Sequence, residues 1–526
     1  MKIFNAPFAE KLSKLYDVTV NGKDIPVFKC IVKSRQFVAA NCESTHGTAE
    51  TNKEEASFVI IDADKDEELH FEVTPEKNFT EVRIRPFSKG IDYDVKNGKI
   101  CFKFKGQGQF TVEPEDHHGA LHIFINDASD YADVSKDSPD VIYFGPGYHD
   151  AGRIRIRSGQ TVFIDFGAWV KGYFLEENIS NFRIIGHGIV EKTDRYDVPA
   201  TGGITSMAME MHFLCCSGIL VDGITMLDSP MWVICINNCN NMIVNNIKQI
   251  GMFWGSSDGF DIVNSQNITL SNSFIRNGDD CVTLKGFMPF EKQNVENISV
   301  NRCVLWCDWG VALQIGAEAC AEFYRNISFT DCDVIHEAQA VLSFQTGGYA
   351  DVSNVLYDDI RVEYSKHARK PILCIGIDDD QVESDNMENY ESHADAGTHF
   401  KGKKKYVDEL FDTIKRPKAE FKDIDYNPPD EPFLCWLFHI EICEHWHDIL
   451  APETPFANNH NIVAHNIRVY TDEGMHMPPS KVKGHSEISR TYDMTVSDLY
   501  LNGKKVETFE DANFEIGEFA DNITIK

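Results

Sequence analysis

Short apolar or alternating runs, parted by Gly, Asn, Asp and Lys turn signals, fill the first quarter of the chain. FKCIVKSR, ASFVIIDAD, ELHFEVTP, EVRIRPF, KICFKFKG, GQFTVEPE and ALHIFIND are the runs. Alternation at period two marks strands with one buried face, and this spacing predicts an N-terminal β-sandwich over residues 1–132. His117 and His118 sit among acidic residues and read as a solvated turn. A linker, DASDYADVSKDSPD, leads into further short strands punctuated by Gly and Pro from Val141 onward.

An imperfect repeat then takes over. Its core is Asn, an aliphatic residue, alternating aliphatic and polar residues, then Asn or Asp. Instances begin at Asn181, Ser217, Asn241, Asn267, Asn297, Asn326, Asn354 and Asn461, and from Asn241 to Asn354 the successive spacings are 26, 30, 29 and 28 residues. A unit this short with few helical patterns predicts a solenoid in which each coil adds a few short strands. A β-propeller would need a period of roughly 40 residues or more, and a leucine-rich repeat would need its own consensus and helical half. The expected fold is therefore all-β: a right-handed parallel β-helix over residues 133–526, preceded by the sandwich. Asn at the coil corners can form a hydrogen-bonded ladder. The repeat is interrupted at about 366–458 by an insertion with two charged tracts, a helix expected around Val407 to Lys415, and a return to strand at PFLCWLFHIEICEHWHDI. The closing segment, ISRTYDMTVSDLYLNGKKVETF, reads as one more coil and a cap.

Charge narrows the partners. Against 50 basic residues stand 82 acidic ones, a net charge of −32. Nucleic acid and anionic membranes are disfavoured as partners, and so is a polyanionic substrate without a local basic pocket. No run approaches the ~18 apolar residues of a membrane span, and the N-terminus carries no apolar segment with a cleavage site. Fifteen scattered cysteines without framework spacing read as buried reduced thiols. Together these predict a cytoplasmic protein, or a secreted one had a leader been removed.

The candidate chemistry lies between Ser256 and Gly286. Asp258 and Asp279 are 21 residues apart, and Asp280 follows directly. In a solenoid of this period they fall roughly one coil apart, stacked at about 4.8 Å. Three carboxylates in one patch raise at least one pKa, leaving an acid beside a base, as glycosidic hydrolysis requires. Spacing alone leaves two alternatives open: an Asp ladder capping turns, and a calcium site. Phe253 and Trp254 precede Asp258 and can line a sugar cleft or pack in the core. Lys285 can lower a neighbouring carboxylate's pKa or be an exposed charge, while Gln345 and Glu318 are candidates for binding sugar hydroxyls. In HIEICEHWH, a strand would align His439, Glu441, Cys443, His445 and His447 on one face; this suits a polar cleft wall better than zinc, since no closed-site spacing accompanies it.

These residues resemble the polygalacturonase and dextranase-like glycoside hydrolases, a clan of β-helix enzymes. Ser256-Ser257-Asp258 stands for the first motif, Gly278-Asp279-Asp280-Cys281 for the second, and Ser229 to Trp232 for an upstream Ser-Pro-x-Trp. The likeness covers about Val141 to Val362, and the N-terminal sandwich is similar to the dextranase-like layout. It implies Asp279 as general acid, with Asp258 and Asp280 activating water, and inversion with carboxyls roughly 6.5–9.5 Å apart. Two departures stand out. Where the family has Gly-His-Gly, this chain has Cys307-Asp308-Trp309-Gly310; where it has Arg-Ile-Lys, this chain has Leu342-Ser343-Phe344. Both cationic contacts to a uronate are missing, and Trp309 can stack on a pyranose face instead. The expectation is a hydrolase of a neutral glycan needing no metal or cofactor. The alternatives are a polygalacturonase-type hydrolase, a uronate lyase, and a non-catalytic glycan-binding β-helix. Oligomeric state, sugar, linkage and endo or exo action are left open.

Overall fold

The structure, a computed structural model, describes residues 1–33, 53–192, 209–253, 257–287, 289–365 and 435–526. The helix expected at Val407 to Lys415 lies outside them. Two sheets form the N-terminal sandwich. One joins Lys2–Ile3, Phe28–Lys33, Lys53–Ala63, Val82–Arg85, Gly108–Pro114 and Leu121–Asp127; the other joins Tyr16–Val20, Lys23–Ile25, Glu68–Pro75, Tyr93–Lys96 and Lys99–Lys105. Alternation sets the inner faces. In Glu68–Pro75 the residues Leu69, Phe71 and Val73 point inward, and Phe71 stacks on Phe102 with ring centroids 4.8 Å apart.

From Val141 onward a 29-stranded sheet winds as a parallel β-helix, nearly every strand pairing with the strand one coil later. Three columns of strands run along it. The first contains Met211–Leu214, Ile234–Asn237, Phe260–Val263, Val282–Gly286, Val311–Ala319, Ala340–Gly348, Trp436–Ile442 and Ser480–Val482. The second carries the repeat, from Ser180–Ile185 to Ala520–Ile525, and the third runs from Ile189–Glu191 through Lys248–Ile250 and Phe274–Asn277 to Val304–Cys307. Aliphatic residues of all three fill the interior, for example Ile236, Ile262, Leu284, Ile298 and Leu305. The strand Trp436–Ile442, inside the stretch expected as an insertion, pairs into the solenoid directly on Ala340–Gly348. Lys504–Val506 folds back antiparallel on Thr491–Leu501 near the end.

The repeat's Asn marks a corner. Asn241, Asn267, Asn297, Asn326 and Asn354 all adopt φ between 55° and 59°, a left-handed conformation that Asn tolerates better than most residues. Their side chains bond from coil to coil: Asn267 Nδ2 donates to Asn240 Oδ1 at 3.0 Å, Asn297 to Asn267 at 2.9 Å, and Asn326 to Asn297 at 3.0 Å. The ladder thus begins on Asn240, one residue before the repeat's own Asn.

The sandwich covers the third column. Phe4, Phe28, Phe58 and Phe124 pack on Trp169, Leu227, Ile250, Phe274, Val304 and Trp306. Buried charges cross the same interface: Arg85 bridges Glu113 at 2.9 Å and Glu363, whose Oε2 lies 2.5 Å from Nη1, and His336 meets Glu113 at 2.6 Å. His117 corrects the solvated-turn expectation. It is buried here, its ring 4.1 Å from that of His118 and 5.4 Å from that of His336, because the turn is pressed between sandwich and helix. Among the described cysteines, Cys101, Cys215 and Cys443 are half-exposed rather than buried as expected. No described helix is long and apolar enough to cross a membrane.

Replacing Asn297 separates backbone from ladder. Asn297→Ala should cost more stability than Asn297→Gly by about 1 kcal/mol, because both lose the two side-chain bonds but only Ala pays for the left-handed backbone. Urea unfolding of the two variants checks the order; equal midpoints would refute it.

Candidate active site

The site grows from the first column and the turns that lead into it. In Phe260–Val263 the apolar Phe260 and Ile262 face the interior, so Asp261 faces out. Register then continues one outward row along the axis: His212, Cys235, Asp261, Thr283, Gln314, Ser343, His439 and Lys481. Asp258 lies just before this strand, and Asp279 and Asp280 just before the next.

Backbone pairing brings the carboxylates together. Gly259 N–H donates to the Asp280 carbonyl at 2.8 Å, stacking the Asp258 turn on the Asp279–Asp280 turn. Asn277 Nδ2 ties the same two turns through the Ser257 carbonyl at 2.8 Å. Asp280 N–H donates to Asp279 Oδ1 at 3.1 Å, and Asp280 Oδ1 accepts from Val311 N–H at 2.7 Å. Asp279 and Asp280 are half-buried, and Asp258 is buried. Burial, reinforced by Asp279 and Asp258, holds the Asp280 carboxyl well above the usual carboxylate range. The cluster therefore keeps a proton at pH values where an isolated Asp has lost it.

Lys285 is the counter-charge. Its buried ammonium lies 2.7 Å from Asp258 Oδ2 and 2.8 Å from Asp261 Oδ1, and 4.0 Å from the centroid of the Trp232 ring. Burial alone would lower its pKa, but Asp258 and Asp261 outweigh burial and hold it well above the ordinary lysine value. Burial pushes Asp261 upward despite Lys285, with Asp258 adding to the rise. This accounts for the Ser-Pro-x-Trp resemblance in physical terms: Trp232 roofs the ammonium that pairs Asp258. Asp261 went unread in the sequence. Its signal is a lone Asp in an otherwise apolar strand, three residues after Asp258.

The next coils supply the surroundings. The turn Cys307 to Val311 rests on the Asp pair: Cys307 Sγ lies 3.2 Å from the Asp279 carbonyl, and a Cβ at Gly310 would fall against both carboxylates. Trp309 sits on this turn, partly exposed. Gln314 and Ser343 follow in the row, both buried, with Gln314 Oε1 and Ser343 Oγ lacking hydrogen-bond partners. Gln345, half-exposed, shares their outward face one step along the strand from Ser343, and Glu318 lies close enough to act on Lys285. Trp254 lies outside the described residues.

The His and Glu face does not form as one strand. The strand ends at Ile442 and the chain turns into a helix, Glu444–Leu450; His447 Nδ1 bonds the Gly348 carbonyl at 2.8 Å and its ring stacks on Phe456. Only His439 and Glu441 keep the outward face, with Glu441 3.7 Å from His439 and 2.9 Å from Lys483. No group of three or more His, Cys, Asp or Glu suited to a metal ion occurs among the described residues.

With the geometry in place, comparison becomes informative. Residues 176–388 match the family described as Glycosyl hydrolases family 28, a segment that holds all three carboxylates. This segment is a family 28 domain. The protein named "Putative galacturan 1,4-alpha-galacturonidase C", from Aspergillus niger, is 35% identical over 212 residues, which are 37% of this chain and 47% of that protein. "Probable rhamnogalacturonase E" from Aspergillus flavus is 27% identical over 140 residues, 26% of this chain and 29% of that one. The chain thus spans at most about half the length of either relative. Among solved structures, Dex49A from Penicillium minioluteum covers 98% of this chain and 96% of its own at 14% identity, with a TM-score of 0.61. At that identity the likeness is one of fold. It extends over the sandwich as well as over the family 28 domain.

Lys285→Met should destabilise the folded domain by roughly 3–5 kcal/mol near neutral pH, by leaving Asp258 and Asp261 buried without a cation. Carboxyls with a raised folded pKa hold protons that the unfolded chain has released, so their cost grows as pH rises from about 4 towards the folded value. The loss in melting temperature should therefore be larger at about pH 8 than at about pH 5, where protonation relieves it. A pH-independent loss would contradict the pairing.

Proposed function

We propose that this protein is an inverting glycoside hydrolase acting on a neutral oligosaccharide or polysaccharide. The observation that carries the reading is the stacking of Asp258, Asp279 and Asp280 on adjacent coils, with one carboxyl kept protonated by burial and by its neighbours. Asp279, on the partly open turn, serves as the acid that protonates the leaving oxygen. Asp280 and Asp258 orient water on the opposite face of the sugar, and Asp258, the carboxylate paired with Lys285, takes its proton. Lys285 pairs with Asp258 at 2.7 Å and holds that carboxylate in place. Trp309 offers a stacking face to the sugar.

The row beyond the acid pair supports a neutral ring. Gln314 and Ser343 are uncharged, and the first described residue of the row able to carry positive charge is His439, three coils on from Thr283 or about 14 Å. Lys285 is spent on Asp258 and Asp261, so a uronate carboxylate finds no free cation there among the described residues. The second reading, an acidic pectin-type substrate, is favoured by the names of the relatives, galacturonidase and rhamnogalacturonase. Fifteen cysteines without framework spacing support action in a reducing compartment.

Hydrolysis of a panel of neutral and uronate oligosaccharides, with the released anomer followed by NMR, distinguishes these. The expected outcome is inversion on a neutral member, with kcat for Asp279→Asn lower by about 10²-fold or more. Cleavage confined to uronates would select the pectin-type reading. An unsaturated uronide product would select a lyase, and full activity in Asp279→Asn would remove that residue from the acid role.

A further inference from the structure

Behind the acid pair, on the face covered by the sandwich, lies a fully buried ion pair that the reaction chemistry does not use. Arg276, two residues before Gly278, directs Nε to Asp308 Oδ2 at 3.0 Å and Nη2 to Asp308 Oδ1 at 3.4 Å. Its guanidinium lies 3.7 Å from the centroid of the Trp306 ring, and Trp306 Nε1–H donates to Asp308 Oδ1 at 2.7 Å. The remaining Nη1 donates to His122 Nε2 of the sandwich at 3.1 Å, and Glu54 stands 3.9 Å from Nη2. Because arginine only donates, His122 accepts at Nε2, carries its proton on Nδ1 and donates it to Thr111 Oγ1 at 2.8 Å. Burial, with Arg276 adding to it, depresses the His122 pKa well below the usual value, which preserves that neutral form. Arg276, Asp308, Trp306 and His122 are all at most 1% exposed.

Both ends of this pair lead to the carboxylates. Arg276 belongs to the strand that delivers Asp279 and Asp280. Asp308 belongs to the turn that rests on them, where Asp308 N–H donates to the Asn277 carbonyl at 2.9 Å and Val311 N–H to Asp280 Oδ1 at 2.7 Å. The fork of a guanidinium on a carboxylate fixes distance and orientation together. A misplacement of about 1 Å can cost a factor of about 10² in rate.

We infer that Arg276 and Asp308 are positioning residues for the acid pair, and that His122 makes the N-terminal sandwich part of that positioning. The inference rests on the hydrolase reading above. In this role the sandwich is more than a neighbouring domain: through His122 it completes the contacts of the arginine that ties the Asp279–Asp280 turn to the turn resting on it.

The test uses the full chain and two probes of the same sugar, a disaccharide and the corresponding dinitrophenyl glycoside, for α-linked glucose, galactose and galacturonic acid. Dinitrophenolate leaves without a proton, so only the disaccharide needs a placed acid. Asp279→Asn should lose about 10²-fold in kcat on the disaccharide and far less on the aryl glycoside. Arg276→Lys and Asp308→Asn should show the same leaving-group dependence at roughly 10- to 100-fold, and His122→Gln a smaller loss of the same kind. Circular dichroism verifies that each variant is folded. Unchanged kcat on the disaccharide, or equal losses on both probes in a folded variant, would overturn the positioning role. Should Asp279→Asn itself lack the leaving-group dependence, the acid assignment fails separately. Crystal structures of wild type and Arg276→Lys then decide the anchor: a shift of the Asp279 and Asp280 carboxylates by about 1 Å supports it, and unmoved carboxylates refute it.

Discussion

Parallel pairing of each strand with the strand one coil later is the constraint on which everything else rests. Each coil buries too little apolar surface to stand alone, so neighbours must stack, and the backbone hydrogen bonds fix their separation at about 4.8 Å. Residues some twenty to thirty positions apart in sequence become immediate neighbours, and any side chain turned outward joins a row along the axis. The Asn corner and the carboxylate cluster are two products of that one rule. At the corner the stacking is relieved by hydrogen bonds between identical amides. At the site it brings like charges together, and the fold answers with Lys285.

That answer is local and economical in charge. Two aspartates, Asp258 and Asp261, share one buried lysine, while Asp279 and Asp280 stand on the more open side and accept from backbone donors. Environment thus divides chemically equal carboxyls into one paired with a cation and one, on Asp280, whose pKa is raised by burial and by its neighbours. The same arrangement leaves no spare positive charge near the scissile position among the described residues, so it bears on substrate as well as mechanism. Gln314 and Ser343 extend the row with neutral groups whose oxygens have no hydrogen-bond partner among the described residues.

The sandwich adds a second layer to this division. It seals the third column with aromatic residues, and charged contacts cross the boundary from Arg85 to Glu363 and from His336 to Glu113, while Arg276, paired with Asp308 within the helix, reaches His122 of the sandwich. Buried pairs of this kind contribute little net stability against apolar packing, but breaking one is costly. They therefore act as registers, fixing how the sandwich sits on the coils.

The chain's own pattern determined the strands, the coil period, the Asn corner and the nearness of Asp258 to the Asp279–Asp280 pair, because periodicity converts directly into stacking. Through the family resemblance it also led to the expectation that uronate-binding cations are missing, since those positions follow the motifs at fixed coil distances. It could not disclose Asp261, Arg276 or Asp308, whose importance comes from which face of a strand they occupy and what lies across from it. His117 read as a solvated turn because local polarity says nothing of a second domain pressing down on it. His439 to His447 read as one strand because alternation continues through a sequence that the structure bends into a helix at Glu444. Periodic contacts along the axis were written in the sequence; contacts across the axis, between columns and between sandwich and helix, were decided by tertiary packing, where no repeat links the partners.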